Sequence, residues 1–235
     1  MHYFPVTAPA LLGLGLLFAI VAGFVAARVL SFASASMGLA PATMMGVLLA
    51  SLLGSYINIP IAYLPEQHMV ARAVVTYFGI PYVVPVMRSA PATVLAINVG
   101  GALIPVCMSV YLMVHNQLYS LSLWGIAVVA LACHLLATPV PGLGIAEPIF
   151  VPCVVTTVMA LTLSRRHSGA LAYICGSLGT LIGADLTNLD KIRGLGAPVA
   201  SIGGAGTFDG IFLTGILAVL LASLYHPHRH AALTP

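Results

Sequence analysis

The run Ala8-Pro-Ala-Leu-Leu-Gly-Leu-Gly-Leu-Leu-Phe-Ala-Ile-Val-Ala-Gly-Phe-Val-Ala-Ala27 holds no charged and no hydrogen-bonding side chain, and Arg28 follows it directly. About 20 apolar residues in helical form cover the roughly 30 Å of a bilayer's hydrocarbon core. An arginine just beyond such a run can reach the interface on its long stem. The run therefore reads as a membrane-spanning helix. The residues before it, Met1-His2-Tyr3-Phe4-Pro5, carry no basic cluster, and no small-x-small site closes a short apolar core. We expect a retained span and not a cleaved signal peptide.

The rest of the chain has the same character. Of its 235 residues 60% are hydrophobic and 6% charged, with a mean hydropathy of +1.09. Soluble domains carry about 25% charged residues, so this chain cannot cover a water-facing surface. Further apolar runs fall at about 39–57, 92–114, 123–137, 149–163, 169–186 and 208–224. The expectation is an all-α, polytopic helix bundle of about seven spans, forming a single membrane domain over 1–235. Between Pro65 and Pro91 a β-branched, proline-broken stretch with Glu66, Arg72 and Arg88 at its edges interrupts the pattern. It reads as an interfacial hairpin or a re-entrant segment.

Several function classes drop out. Eight Lys and Arg against five Asp and Glu are scattered along the chain and form no basic patch, so nucleic acid is not an expected partner. Cys107, Cys133, Cys153 and Cys175 lie inside apolar runs without metal-ligand spacing and read as small buried hydrophobes. Neither a metal site nor a cofactor is expected; the histidines His226, His228 and His230 sit in a tail that preorganises nothing. Seven spans put Arg28, Arg165, Arg166 and Arg229 on one side and Arg72, Arg88, Lys191 and Arg193 on the other, so the positive-inside rule does not fix the orientation.

Chemistry has few candidates, because a charge within a span costs a few kcal/mol and needs a reason to be there. Glu66 and Asp190 fall in expected loops. Glu147 precedes Pro148 at the start of a span, where the helix dipole favours an anion. Asp185, in Gly183-Ala-Asp-Leu-Thr-Asn188, lies near the end of the sixth span; Asp209, in Gly203-Gly-Ala-Gly-Thr-Phe-Asp-Gly210, lies near the start of the seventh. Consecutive antiparallel spans bring both to the same side of the membrane. Gly176, Gly179 and Gly183 recur at helical spacing and permit close approach of backbones.

Two carboxylates in a partly dry site do not both ionise, which leaves one acid and one base, as in aspartic proteases. The same pair can instead bind ions or protons for transport, or hydrogen-bond to Thr187, Asn188 or Thr214 as structural glue. Asn58, Asn98 and His134 read as interhelical hydrogen-bonders that can also line such a cavity.

Gly183-Ala-Asp-Leu and Gly203-Gly-Ala-Gly-Thr-Phe-Asp-Gly-Ile-Phe-Leu together resemble a family of prokaryotic multi-pass membrane proteins known only as a domain of unknown function. That resemblance implies a prokaryotic inner membrane and no established activity. The two aspartates also resemble those of the presenilin and signal-peptide-peptidase group of intramembrane aspartyl proteases, in which each of two adjacent spans carries one catalytic Asp. Here Thr207 and Phe208 interrupt that group's Gly-x-Gly-Asp motif, Ala184 stands where it has tyrosine, and a Pro-Ala-Leu motif near the C-terminus is absent. The resemblance implies Asp185 and Asp209 as the catalytic pair, with Gly204, Gly206 and Asn188 beside a membrane-embedded peptide substrate. The alternative expectation is a small transporter or channel coupling ions through the same pair.

Overall fold

The computed structural model describes residues 8–65, 67–77, 80–90, 92–140, 144–148, 150–192, 198–204 and 210–224. Helices dominate: α1 (Ala8–Met37), α2 (Pro41–Gly54), α3 (Ile104–His115), α4 (Tyr119–Leu136), α5 (Phe150–Leu163), α6 (Ser168–Thr180) and α7 (Gly210–Leu224). Strands punctuate them: β1 (Asn58–Leu64), β2 (Gln67–Tyr77), β3 (Ile80–Ala90), β4 (Thr93–Asn98), β5 (Thr138–Val140), β6 (Gly144–Ala146) and β7 (Val199–Ile202).

Among the described residues two helices are long and apolar enough to cross a membrane, α4 and the continuous run Ser168–Ile192 that α6 begins. A third candidate is the pair Ala27–Met37 and Pro41–Gly54, bent by 106° where Gly38 turns the chain with a φ of +74°. This count differs from the expected seven, because other apolar runs fold as shorter helices or give part of their length to strands. Val99–His115 and Phe150–Leu163 are apolar but short.

The expectation of an all-α fold is corrected by the sheets. Thr93–Asn98, expected inside a span, is instead the central strand of a three-stranded sheet in the order β1, β4, β7. β1 runs antiparallel to it, with Asn58 opposite Asn98; β7 runs parallel, with Ile97 opposite Ile202. Pairing on both edges gives the backbone of β4 the partners that helix formation would otherwise supply. The stretch read as a hairpin or re-entrant segment folds as the β2–β3 hairpin, in unbroken register from Gln67 opposite Ala90 to Tyr77 opposite Ile80.

Packing is inverted relative to a water-soluble bundle. On α4 the inward positions Ser122, Gly125, Val129 and Cys133 are small or polar, while Leu123, Trp124, Leu131 and Leu135 point outward, Leu135 with 74% of its surface exposed. Phe150 on α5 is 79% exposed. Large apolar groups outside and small ones inside are what a lipid solvent favours. At the centre stands α6, with twelve of its thirteen residues buried and with α1, α3, α4, α5 and α7 all packed on it.

Close approach at the α4–α6 seam depends on the missing side chain of Gly183: a Cβ there would lie 2.2 Å from the Ala130 carbonyl oxygen and 2.7 Å from Cys133 Cβ. Gly183→Ala should therefore lower stability by about 1–3 kcal/mol or more through overpacking. Gly46→Ala, where an added Cβ meets nothing within 4 Å, should be neutral or slightly stabilising in its helix. Thermal melts of the two variants in detergent check the contrast, and equal melting temperatures would contradict it.

Candidate functional site

Beyond Thr180 the helical ladder of α6 loosens and then tightens. Leu181–Asp185 forms a π-helical turn and Leu186–Ile192 a 3-10 segment. Such changes of winding shift which carbonyls are used, and side chains fill the gaps. Thr187 Oγ1 donates to the Gly183 carbonyl at 2.7 Å, and Asn188 Nδ2 donates to the carbonyls of Gly183 and Ala184 at 3.0 and 2.9 Å. Asn188 Oδ1 accepts from Lys191 Nζ at 2.7 Å. Asn188, expected beside a substrate, is thus fully buried beneath the break and holds it in shape.

A second π-helical turn, Val99–Leu103, leads from β4 into α3. Its cap is Asn98, whose Oδ1 accepts from the Gly101 N–H at 2.7 Å while its Nδ2 donates to the Ser55 carbonyl at 2.7 Å and to Asn58 Oδ1 at 3.0 Å. Ser201 Oγ donates to the same Asn58 oxygen at 2.6 Å. Antiparallel pairing of β1 and parallel pairing of β7 with β4 place Asn58, Asn98 and Ile202 at one end of the sheet, so these groups form a single polar corner.

Asp185 faces that corner. Its half-buried carboxylate accepts the Gly203 N–H at 2.7 Å. Gly203 leaves β7 with a φ of +90°, and a Cβ there would come within 2.6 Å of the Ala102 nitrogen in the second π turn. Glycine meets both demands, left-handed backbone and contact with another backbone. Gly204, also at positive φ, continues the turn. Gly206 and Asp209 lie outside the described residues; in sequence Asp209 immediately precedes α7.

The carboxylate the structure does bring to this region is Glu147. The β5–β6 hairpin carries it, half-buried, to the start of α5, beside the Cys133 thiol of α4. Cys133 Sγ also donates to Thr180 Oγ1 of α6 at 3.6 Å. Glu147 Oε1 is buried and makes no hydrogen bond among the described residues. Burial pushes the Glu147 carboxyl up to about 7; the Cys133 contact opposes the rise and the nearby charge of Asp185 adds to it. The dipole reading of Glu147 omitted this environment. A sequence signal for it is weak: Pro139-Val-Pro-Gly-Leu-Gly predicts a turn but not where the turn deposits residue 147.

The sequence also left Gly203 without its role as donor to Asp185. The signal available was the repeated pattern of a short β-branched strand entering a double glycine, at Ile97 to Gly101 and at Val199 to Gly204. On the outer side of the site His134 Nδ1 pairs with Thr187 Oγ1 at 2.8 Å. Among the described residues no three His, Cys, Asp or Glu side chains gather closely enough to hold a metal ion.

Residues 52–221, well over half of the chain, match the family model described as "Protein of unknown function (DUF1614)", and the chain belongs to that family. No curated protein and no solved structure matches it. Every site residue inside the described segments falls within the matched region.

The raised Glu147 carboxyl has a measurable effect on stability. It binds a proton more tightly folded than unfolded, so its influence is neutral below the ordinary value of 4.5 and increasingly unfavourable as pH rises towards 7. Glu147→Gln removes the ionisable group. Melts across pH should show the variant gaining on the parent between about pH 4.5 and 7 and holding that gain above, with no gain in acid; a pH-independent difference would contradict the assignment.

Proposed function

We propose that this chain is a multi-pass carrier of the prokaryotic inner membrane, in which Asp185 is the carboxylate that exchanges a proton or small cation during transport. The observation that carries the reading is the position of Asp185, at the meeting of two helices whose winding is broken by π turns. Broken helices in membrane carriers place free backbone groups and helix ends around the transported ion, and non-helical backbone is tolerated where protein surrounds it. Here the break is spliced to strand ends, so N–H and carbonyl groups with different directions converge beside one charge.

Asp185 has the exposure such a role needs: its neighbour Ala184 is buried, Thr187 is exposed, and Asp185 itself lies between. The seven-span arrangement is the finer form of this proposal. It assigns a crossing to each of the apolar runs, with the bulky outward faces of α4 and α5 in contact with lipid.

A second reading, intramembrane aspartyl proteolysis by Asp185 with Asp209, has its own support. The chain that hydrogen-bonds Asp185 at Gly203 continues through Gly204 and Gly206 to Asp209 within six residues. β7 is an edge strand among the described residues, a form of backbone that accepts an extended peptide by strand addition.

One experiment separates the two. Protein reconstituted in sealed vesicles should move protons or a monovalent cation down an imposed gradient, with Asp185→Asn reducing the rate to that of empty vesicles while its melting temperature stays near that of the parent. Proteolysis needs no sealed compartment: a helix-forming membrane peptide would be cut in detergent, and either Asp185→Asn or Asp209→Asn would stop it by about 100-fold or more. Flux by a folded Asp185→Asn protein at the parent rate would end the carrier reading.

A further inference from the structure

The β2–β3 hairpin stands apart from the rest of the protein. Each of its strands runs for 11 residues, about twice the usual strand length of 5–6. They pair with each other and, among the described residues, with no further strand. No other described element packs on them closely, and Val74 on β2 is 66% exposed. A two-stranded hairpin by itself is marginally stable; further strands or a packed face are what hold one in place.

The prolines of β3 show which backbone groups of the hairpin are free. In an antiparallel pair the facing residues alternate between those that exchange hydrogen bonds and those whose N–H and C=O point outwards. Proline has no N–H, so within a ladder it fits only the second kind. Pro81 and Pro85 face Thr76 and Arg72. Being four residues apart, they fall on the same kind of pair, so Thr76–Pro81, Val74–Val83, Arg72–Pro85, Val70–Met87 and His68–Ser89 are the pairs with outward groups. The two edges of the hairpin therefore differ. The outer edge of β3 lacks a donor at Pro81 and at Pro85, whereas the outer edge of β2 keeps the N–H of His68, Val70, Arg72, Val74 and Thr76.

Exposed strand edges invite pairing with other chains, and proteins blunt them with prolines, bulges or shortness. Among the described residues the other edges are blunted in these ways. β1 carries Pro60 and a shift of register between Pro60 and Ala62. β5, β6 and β7 have only three or four residues each, and β3 has its prolines. β2 alone is long, regular and open.

We infer that the outer edge of β2 is a dimer interface, where β2 of a second copy of this chain pairs antiparallel to form a four-stranded sheet in the order β3, β2, β2, β3. The asymmetry of the hairpin selects this occupant. An antiparallel pair of identical strands is self-complementary about a two-fold axis. It uses the one open edge of each copy and leaves a proline-blocked strand on both outer sides, so assembly closes at two. The register that sets Arg72 against its own copy brings like charges together; sliding the strands by two residues sets it against Val70 or Val74 instead. The interface is independent of the carrier reading, since it uses no group of the Asp185 site.

Proline substitution tests the edge directly. Val74 and Val83 face each other, so proline at either position removes an outward N–H and leaves the ladder between β2 and β3 in place. Val74→Pro blocks the open edge; Val83→Pro makes the same change on the edge already blocked. Copies labelled with donor and acceptor dyes are reconstituted in liposomes, and energy transfer is followed across protein-to-lipid ratios. The parent and Val83→Pro should associate alike and saturate as dimers. Val74→Pro deletes a hydrogen bond from each half of the two-fold pair and should need about tenfold more protein per lipid. Val70→Pro with Met87→Pro, another facing pair of the same kind, repeats the contrast if circular dichroism shows that a first variant does not fold. A parent that stays monomeric at every ratio, Val74→Pro associating as readily as Val83→Pro, or growth beyond dimers overturns the inference.

Discussion

In an apolar surrounding every backbone N–H and C=O needs a partner from within the protein, and this requirement organises the molecule. Helices meet it locally. Where the helices stop, the chain does not simply loop: Asn98 takes up the loose N–H of Gly101, Asn188 takes up two carbonyls below the π turn, and the strand β4 is paired along both edges. Asp185 belongs to the same scheme, because its carboxylate receives the N–H that Gly203 turns out of β7. The groups that look like chemistry are thus also the groups that allow the backbone to break.

That double duty bears on how the site works. A carboxylate that only stabilised a chain end would remain charged and fixed. Asp185 shares its surroundings with Glu147, a second carboxyl whose proton affinity is lifted into the neutral range, chiefly by burial and in part by the charge of Asp185. The Asp185 carboxylate accepts the Gly203 N–H, and Gly203 packs directly on the Ala102 turn. One hydrogen bond therefore ties the carboxylate to the contact between β7 and the second π turn.

The sequence made some of this legible. Long uniform apolar runs disclosed α1, α4 and α6, and a charge in such a run is rare enough to single out Asp185. The strand at Thr93–Asn98 was hidden for a physical reason: when every residue is apolar the alternation that marks a strand disappears, and a short β-branched run looks like part of a helix. Asn188 was visible as polar, but whether it faces a substrate or caps a break depends on winding that only coordinates show. The surroundings of Glu147 were hidden because its neighbours, Cys133 and Asp185, are close in space and far apart in sequence. Of the expected site, Gly206 and Asp209 lie outside the described residues, so the pairing of the two aspartates rests on the sequence alone.

The parallel pairing of β4 with β7 joins Val94 to Val199 across about a hundred residues that include the four helices α3 to α6. During synthesis β4 emerges on the order of ten seconds before its second partner, at ordinary rates of about 5–20 residues per second. Over that interval the central strand has β1 on one side and a row of unsatisfied amides on the other. Only when α6 has inserted and the chain has turned back does β7 arrive to close the row, and Gly203 reaches Asp185 in the same movement. The carboxylate site is therefore completed late in synthesis, after every element except α7 has been made.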